Sequence, residues 1–525
     1  WYSSSRWYSD RGKRMTFDEW LLSLVVFLPL VGAGVILVLP KAQHALIRLV
    51  ALIASGAALV FGIIALVRFD FHQSRVFQFN VNTRWIDSIG ARYHMGVDGI
   101  ALPLLVLTVA LTFLCVIYSQ KIMPKPQDKV KGFFALILLL ETGMAGTFTS
   151  LDLVLFFVFW EMVLVPMYFI IAVWGSERKE YSAIKFFLYT LFGSVFMLLG
   201  FLAMYFKSVD PVTGGHTFDM IRLQGQHFGG VGFQNLVFLG LFLGFAIKVP
   251  MWPFHTWLPD AHGDAPTVGS VLLAGILLKM GAYGFIRIAL PLLPHAAKDW
   301  APYIGGLAVI SILYGALCCL AQTDIKRLIA FSSVGHMGFV MLGISTLTDK
   351  GINAAVFGMV AHGVITGMLF FLAGSLYERY HTRQIDDIGP GVLQKLPRIG
   401  AIFVFVAIAS LGLPGLAGFW GEVIALLAAF NPARGLPVAL FRSYMVLGGI
   451  GTILTAGYML WLIQRLNLGV VREKWAADPS IDDVRPAEVF AWSPLLVGIL
   501  ALGIYPRAIF DITNGAVTGL ARLFT

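Results

Sequence analysis

Residues 241–287 read LFLGFAIKVPMWPFHTWLPDAHGDAPTVGSVLLAGILLKMGAYGFIR. An apolar run carries Lys248 and breaks at Pro250 and Pro253. A polar connecting stretch follows, with His255, Asp260, His262 and Asp264, and a second apolar run carries Lys279 near its middle. Backbone freed by proline at membrane depth is tolerated only where protein or a water-filled cavity covers it. An ionisable side chain at that depth is costly and by default marks an ion pathway. Two lysines and a broken helix within one stretch therefore point to transport rather than packing.

The composition agrees. The chain has 525 residues, 58% hydrophobic and 13% charged, with mean hydropathy +0.80, whereas a soluble chain carries roughly a quarter charged residues. The net charge of +9 sits mostly in loops and reads as a topology signal, not as nucleic-acid binding. The three cysteines, Cys115, Cys318 and Cys319, lie in apolar runs without a CxxC spacing, which argues against iron–sulfur, haem or zinc ligation by this chain. The polar, aromatic start WYSSSRWYSDRGKR precedes Met15. The first apolar run is long enough to span and lacks a small-residue cleavage site, so an anchor is expected, not a signal peptide.

A membrane helix needs about 20 mostly apolar residues, and that rule predicts an all-α chain of about fourteen spans. They fall at 20–39, 46–67, 99–118, 133–148, 151–174, 184–205, 233–249, 268–290, 304–320, 325–344, 354–376, 399–430, 445–463 and 493–505. The segment 68–97, with its aromatics and spaced charges, reads as an interfacial piece. Span seven breaks at Pro250 and span twelve at Pro414, each near one ionisable group, Lys248 and Glu422. Interrupted spans five helices apart match the inverted repeats of transporters. The expected division is a polar extension (1–18), helices 1–3 (19–130), a first repeat (131–290), a second repeat (300–467) and a C-terminal loop with helix 14 (468–525). Cations cluster in one set of loops (Lys121 to Lys131, Arg178, Lys179, Lys326, Arg327, Arg379, Arg383, Lys395, Arg398, Arg465, Arg472 and Lys474). The positive-inside rule makes that side cytoplasmic and places both termini outside, although the cations near residue 14 run against this.

Each intramembrane polar group has a functional and a structural reading. Glu161, deep in LFFVFWEMVLVPMYF, must be paired or protonated; Lys248 is its natural partner and, unlike arginine, can give up its proton. The pair is either a proton switch or a static ion pair, and Lys248 alone could snorkel to an interface. Lys279 has about ten apolar residues before it, and Glu422 follows the second break. His336, with Ser332 one turn before it, and His362 can relay protons near neutral pH, although a lone buried histidine is often structural. Glu141 lies close to a span end or its short turn, where charges often reach the interface. With His255 it forms the additional candidates. The His255, Asp260, His262 and Asp264 stretch lacks a regular ligand spacing, which leaves gating or capping ahead of metal binding.

These residues carry a resemblance. IKVPMWPFHTWLPDAHGDAPTVGSVLLAGILLKMGAYG, DIKRLIAFSSVGHMGFV, FWEMVLVPMYF and AHGVITGMLFFLAGSLYERYHTR are similar to the antiporter-like membrane subunits of respiratory complex I and of multisubunit cation/proton antiporters, over about residues 100–470. Within that family the chain most resembles the M-subunit branch of the proton-translocating NADH:quinone oxidoreductases. LGLPGLAGFWGE ends in Glu422 where most relatives carry lysine, LYERYHTR looks M-like, and a long C-terminal amphipathic helix of the L-subunit kind is not expected.

The resemblance implies that Glu161 and Lys248 gate one half-channel, that Lys279 carries protons centrally, that His336 and His362 lie on the connecting axis, and that Glu422 serves the outward half-channel or the neighbouring subunit. It implies no cofactor in this chain, with FMN, iron–sulfur clusters and quinone in partner subunits. It also implies L-like and N-like antiporter neighbours and a bacterial inner membrane. The alternatives are a subunit of a multisubunit Na⁺/H⁺ antiporter, a membrane-bound hydrogenase, or a scaffold whose charges only pair.

Overall fold

The computed structural model describes residues 16–525; residues 1–15 of the expected N-terminal extension lie outside the described residues. Thirteen of the described helices are long and apolar enough to cross a membrane. They run from Phe17–Val38 to Pro486–Ile504, and they include Gln127–Thr149, Leu153–Trp174, Thr267–Leu292 and Asp349–Tyr380. The segment expected at 399–430 is two shorter apolar helices, Pro397–Ser410 and Ala417–Phe430, parted by residues 411–416. Gly412 and Gly415 adopt positive φ there, at 82° and 93°, a region open to glycine at no steric cost.

Aspartates set several helix starts. Asp152, Asp219 and Asp324 each accept hydrogen bonds from the amides two and three residues on, satisfying donors that the first turn leaves free. The cation-rich loops gather on one face: Arg383 pairs with Asp324 across 3.2 Å, Arg465 with Asp386 across 2.6 Å, and the Lys131 ammonium donates to the Leu39 carbonyl at 2.8 Å. Both ends of the described chain lie at the opposite face. There Arg68 pairs with Asp18, and Asn353 donates to Asn514.

Four features depart from the sequence reading. Residues 68–97 are not merely an interfacial piece. They form an antiparallel hairpin, Gln78–Ile86 with Ala91–Val97, so the helical chain carries one small sheet. Alternating burial along the first strand and left-handed Gly90 at the turn are the local causes. The stretch expected to be a loop contains a buried helix, Trp257–Asp264. Pro259 sits in its first turn, where a missing N–H costs nothing. Glu141 is not near a span end: it falls within Val130–Thr149 and is fully buried. Finally, an amphipathic helix, Arg507–Ala521, follows the last span. Its Ile509, Ile512, Ala516 and Val517 are buried, so its apolar stripe is covered by the chain itself.

Residues 249–256 break the helix after Lys248, and neighbours take up the freed backbone. The Trp257 indole donates to the Ile247 carbonyl at 2.9 Å, and the Ser311 hydroxyl accepts from the Trp252 amide at 2.9 Å. The next long helix, Thr267–Leu292, contains two π-helical turns, Leu273–Leu277 and Phe285–Ala289. Each removes an ordinary i→i−4 bond and frees a carbonyl.

Candidate proton pathway in the membrane core

The π turn at Leu273–Leu277 prepares the site of Lys279. The Ala274 carbonyl, five residues back, accepts from the Lys279 ammonium, and the same nitrogen lies 2.6 Å from His362 Nδ1. Lys279 is fully buried. An uncovered ammonium at this depth would be costly, and here a carbonyl and an imidazole replace its water.

From His362 the polar groups continue sideways. Its ring centroid is 5.7 Å from that of His336. His336 Nδ1 lies 2.7 Å from Glu422 Oε1 and Nε2 lies 3.1 Å from Ser410 Oγ. Glycines permit this approach: a Cβ on Gly421 would sit 2.8 Å from Gly358 Cα, so the Asp349–Tyr380 and Ala417–Phe430 helices meet nearly backbone to backbone beside Glu422. Ser410 is the last residue before the break, so the interruption brings its hydroxyl to His336. Between these side chains lies a cavity of about 30 Å³ lined by His336, His362, Thr366, Ser410 and Glu422. His362 Nε2, Thr366 Oγ1 and Glu422 Oε2 have no hydrogen-bond partner among the described residues. Phe339, Val340 and Ile365 also line the cavity, and space of that size beside these orphaned polar atoms suits a water or two.

The other half is differently built. The expected Glu161–Lys248 pair is not a direct ion pair. The buried Lys248 ammonium has no hydrogen-bond partner and lies over the Trp160 ring at 5.1 Å; a desolvated cation over an indole is held by about 2 kcal/mol. Glu161 is half-buried, with Oε1 unpartnered, and shares its surroundings with Ser194 and Lys248. The reason lies in the helix face: Trp160, whose indole donates to Ser194 at 3.0 Å, takes the position next to the lysine and leaves Glu161 beside it. Glu141 is similarly isolated, both oxygens buried without a partner. So the structure joins Lys279 to His362 and His336 to Glu422, keeps Glu161 and Lys248 as unbonded neighbours, and leaves Glu141 apart.

His255 is buried in the break, its ring 5.0 Å from that of Tyr314, and it joins none of these contacts. His262, expected with Asp260 and Asp264 in a gating or capping stretch, is fully buried, both ring nitrogens unpartnered among the described residues, and stacks on Phe370 with centroids 4.5 Å apart. Its neighbours Asp260 and Asp264 instead tie helices together: Lys185 lies 2.7 Å from Asp260, and Ser182 donates to Asp264 at 2.6 Å. Two elements escaped the sequence reading, Ser410 and the Ala274 carbonyl. A serine at the end of an apolar run was visible, but its partner, 74 residues away, was not.

Comparison with known proteins places the chain in a family. The profile of the family described as NADH:quinone oxidoreductase/Mrp antiporter, TM, matches residues 150–448, and that of the amino terminus of NADH-ubiquinone oxidoreductase chain 4 matches residues 46–147. NADH-quinone oxidoreductase subunit M of Rickettsia prowazekii is 40% identical over 509 residues, covering 96% of this chain and 99% of the relative. That of Rhodobacter capsulatus is 39% identical, covering 96% of each. A chain of respiratory complex I from Thermus thermophilus with bound NADH superposes with a TM-score of 0.83 at 28% identity, over 96% of this chain and all of that one. A chain of the Mrp complex from Dietzia shares the fold, with a TM-score of 0.81 at 21% identity over 97% and 98% of the two chains. The chain therefore belongs to the family of NADH:quinone oxidoreductase and Mrp antiporter transmembrane subunits, in its subunit M branch.

Proposed function

We infer that this chain is a proton-translocating membrane-arm subunit of NADH:quinone oxidoreductase, and that protons cross the membrane core along Glu161, Lys248, Lys279, His362, His336 and Glu422. The observation that carries the reading is the series from Lys279 through both histidines to Glu422, beside a small cavity into which unpartnered polar atoms face. Lysine, histidine and carboxylate can each change protonation state, and neighbours within hydrogen-bond reach can exchange a proton directly. The 5.7 Å between the two imidazole rings is one water's span, and the orphaned atoms lining the cavity are the partners such a water needs.

Glu161 and Lys248 act as the gate of this row. The charge on Lys248 is held by an indole face rather than a bonded carboxylate, so a change of charge nearby shifts it without first breaking an ion pair. Glu141, buried and unpartnered, is a further proton-accepting position beside the row, and His255, within the helix break, has a gating role. Lys279 lacks a direct contact to Lys248, and passage between the halves requires water or a movement of the broken helix. The two halves of the chain act as inverted repeats, one around each break.

The chain itself supplies no redox centre: its cysteines are Cys115 in one helix and the adjacent Cys318 and Cys319 in another. FMN, iron–sulfur clusters and quinone belong to partner subunits, and their redox energy reaches this chain as a coupling free energy. Its neighbours are the L-like and N-like subunits. The cation-rich face is cytoplasmic, both termini are outward, and the membrane is the bacterial inner membrane. The likeness to the Mrp chain is one of fold, and Glu422 bonded to His336 favours the oxidoreductase over the Na⁺/H⁺ antiporter.

The deciding experiment replaces Lys248 by alanine in the intact complex reconstituted in proteoliposomes. Quinone reduction and proton uptake are expected to fall together while NADH:ferricyanide activity persists. Unchanged pumping by the assembled variant sinks the pathway.

A further inference from the structure

Away from the proton row, a groove of about 970 Å³ opens on the outer surface of the helix bundle. Its walls come from three membrane helices, Phe17–Val38, Gln127–Thr149 and Leu153–Trp174, with Gly34, Leu37, Leu136 and Phe169 among its lining. Gly34 and Leu37 are exposed, and a Cβ on Gly34 would meet nothing within 4 Å. At one end, on the cation-rich face, stand Lys41, Lys129 and Lys131, with Asp128 beside them. None of the three lysines pairs with a carboxylate among the described residues. Lys131 donates to the Leu39 carbonyl at 2.8 Å, which holds its ammonium at the groove mouth. Lys41 and Lys129 are exposed.

We propose that this groove binds an anionic phospholipid, its phosphate at Lys41, Lys129 and Lys131 and an acyl chain laid between the three helices. The cations sit at the level of the headgroups, because they cap the ends of membrane helices. The apolar wall below them runs for about 10 Å along two of the helices and about 8 Å along the third, at 1.5 Å per residue. That is about two thirds of one leaflet's hydrocarbon depth. A free anion would have no use for the apolar wall, and a neutral lipid none for three lysines offset by one aspartate. Juxtamembrane lysines draw anionic lipid by about fivefold each.

The test uses the intact complex in nanodiscs containing phosphatidylglycerol with a photoactivatable group in its acyl chain. After illumination, labelled peptides are mapped by mass spectrometry. Label is expected on the Phe17–Val38 and Gln127–Thr149 helices. Lys41→Gln with Lys129→Gln is expected to lower it about 25-fold relative to labelled sites elsewhere in the complex, and Gly34→Leu, which fills the groove without a clash at Cβ, to abolish it. The two lysines are exposed, so their variant keeps the test open if the glycine variant fails to assemble. Three results overturn the proposal: equal labelling by the phosphatidylcholine analogue, labelling untouched by the lysine changes, or a Gly34→Cys variant that cross-links to a neighbouring subunit while the groove stays free of lipid label.

Discussion

Replacing Glu422 by glutamine changes little but charge. The amide oxygen can still accept from His336 Nδ1, which lies 2.7 Å from Glu422 Oε1, and the side chains are nearly isosteric. What disappears is the attraction between a carboxylate and a protonated imidazole. At a charge separation near 4 Å and an effective dielectric of about 20, that attraction is about 4 kcal/mol. A neutral amide also cannot take up a proton, so a proton on His336 has no acceptor at this position. If protons pass from His336 to Glu422, turnover stalls at that step. The assay is proton uptake by proteoliposomes during NADH oxidation, alongside quinone reductase and NADH:ferricyanide rates. We expect pumping and quinone reduction to drop at least tenfold, with ferricyanide reduction intact. A His336→Asn change should cost about the same, and the double variant little more, because the two residues act as a unit. Wild-type pumping by an assembled Glu422→Gln complex, or additive losses in the double variant, would refute the reasoning.

Further outcomes follow from the same geometry. Lys279→Arg keeps a cation that can bond Ala274 and reach His362 but that cannot lose its proton; the complex should assemble on a native gel and fail to pump. A Cβ on Gly99 would run into the Ile512 carbonyl, so Gly99→Ala should loosen the Arg507–Ala521 helix, seen as faster hydrogen exchange there and a lower yield of complex. Asp152 lies in the turn before the Leu153 helix, where burial first, against hydrogen bonds from Arg92 and the helix amides, raises its carboxyl from 3.8 to about 6. The native state therefore holds a proton that the unfolded chain lacks between those values. The contribution is full below the lower value and is lost as pH rises to the upper one. Asp152→Asn should accordingly gain on the wild type in thermal stability as pH rises from about 4 to 6, measured by unfolding of the purified complex.

The sequence alone determined the class of molecule. Long apolar runs with ionisable residues inside them have few physical solutions in a bilayer, because every backbone amide must be satisfied within the helix. The same cost argument singled out Lys248, Lys279, Glu161 and Glu422, since a buried charge persists only where something holds it. Local signals located both helix breaks, at Pro250 and Pro414.

Pairing was a different matter. Glu161 and Lys248, expected as an ion pair, are neighbours without a direct bond, because the lysine lies over the Trp160 ring, a matter of helix rotation that no spacing encodes. The contact of Lys279 with His362 depends on a π turn that redirects one carbonyl, and that of His336 with Glu422 on two glycines, Gly358 and Gly421, that meet only in the folded bundle. The hairpin and the amphipathic C-terminal helix were also hidden. Short polar-apolar alternation is weak beside twenty-residue apolar runs, and its burial comes from distant partners. Composition and local pattern determined which ionisable residues lie inside the membrane spans; only the tertiary structure decided which of them touch, because contact depends on the rotation and approach of helices that packing sets across hundreds of residues.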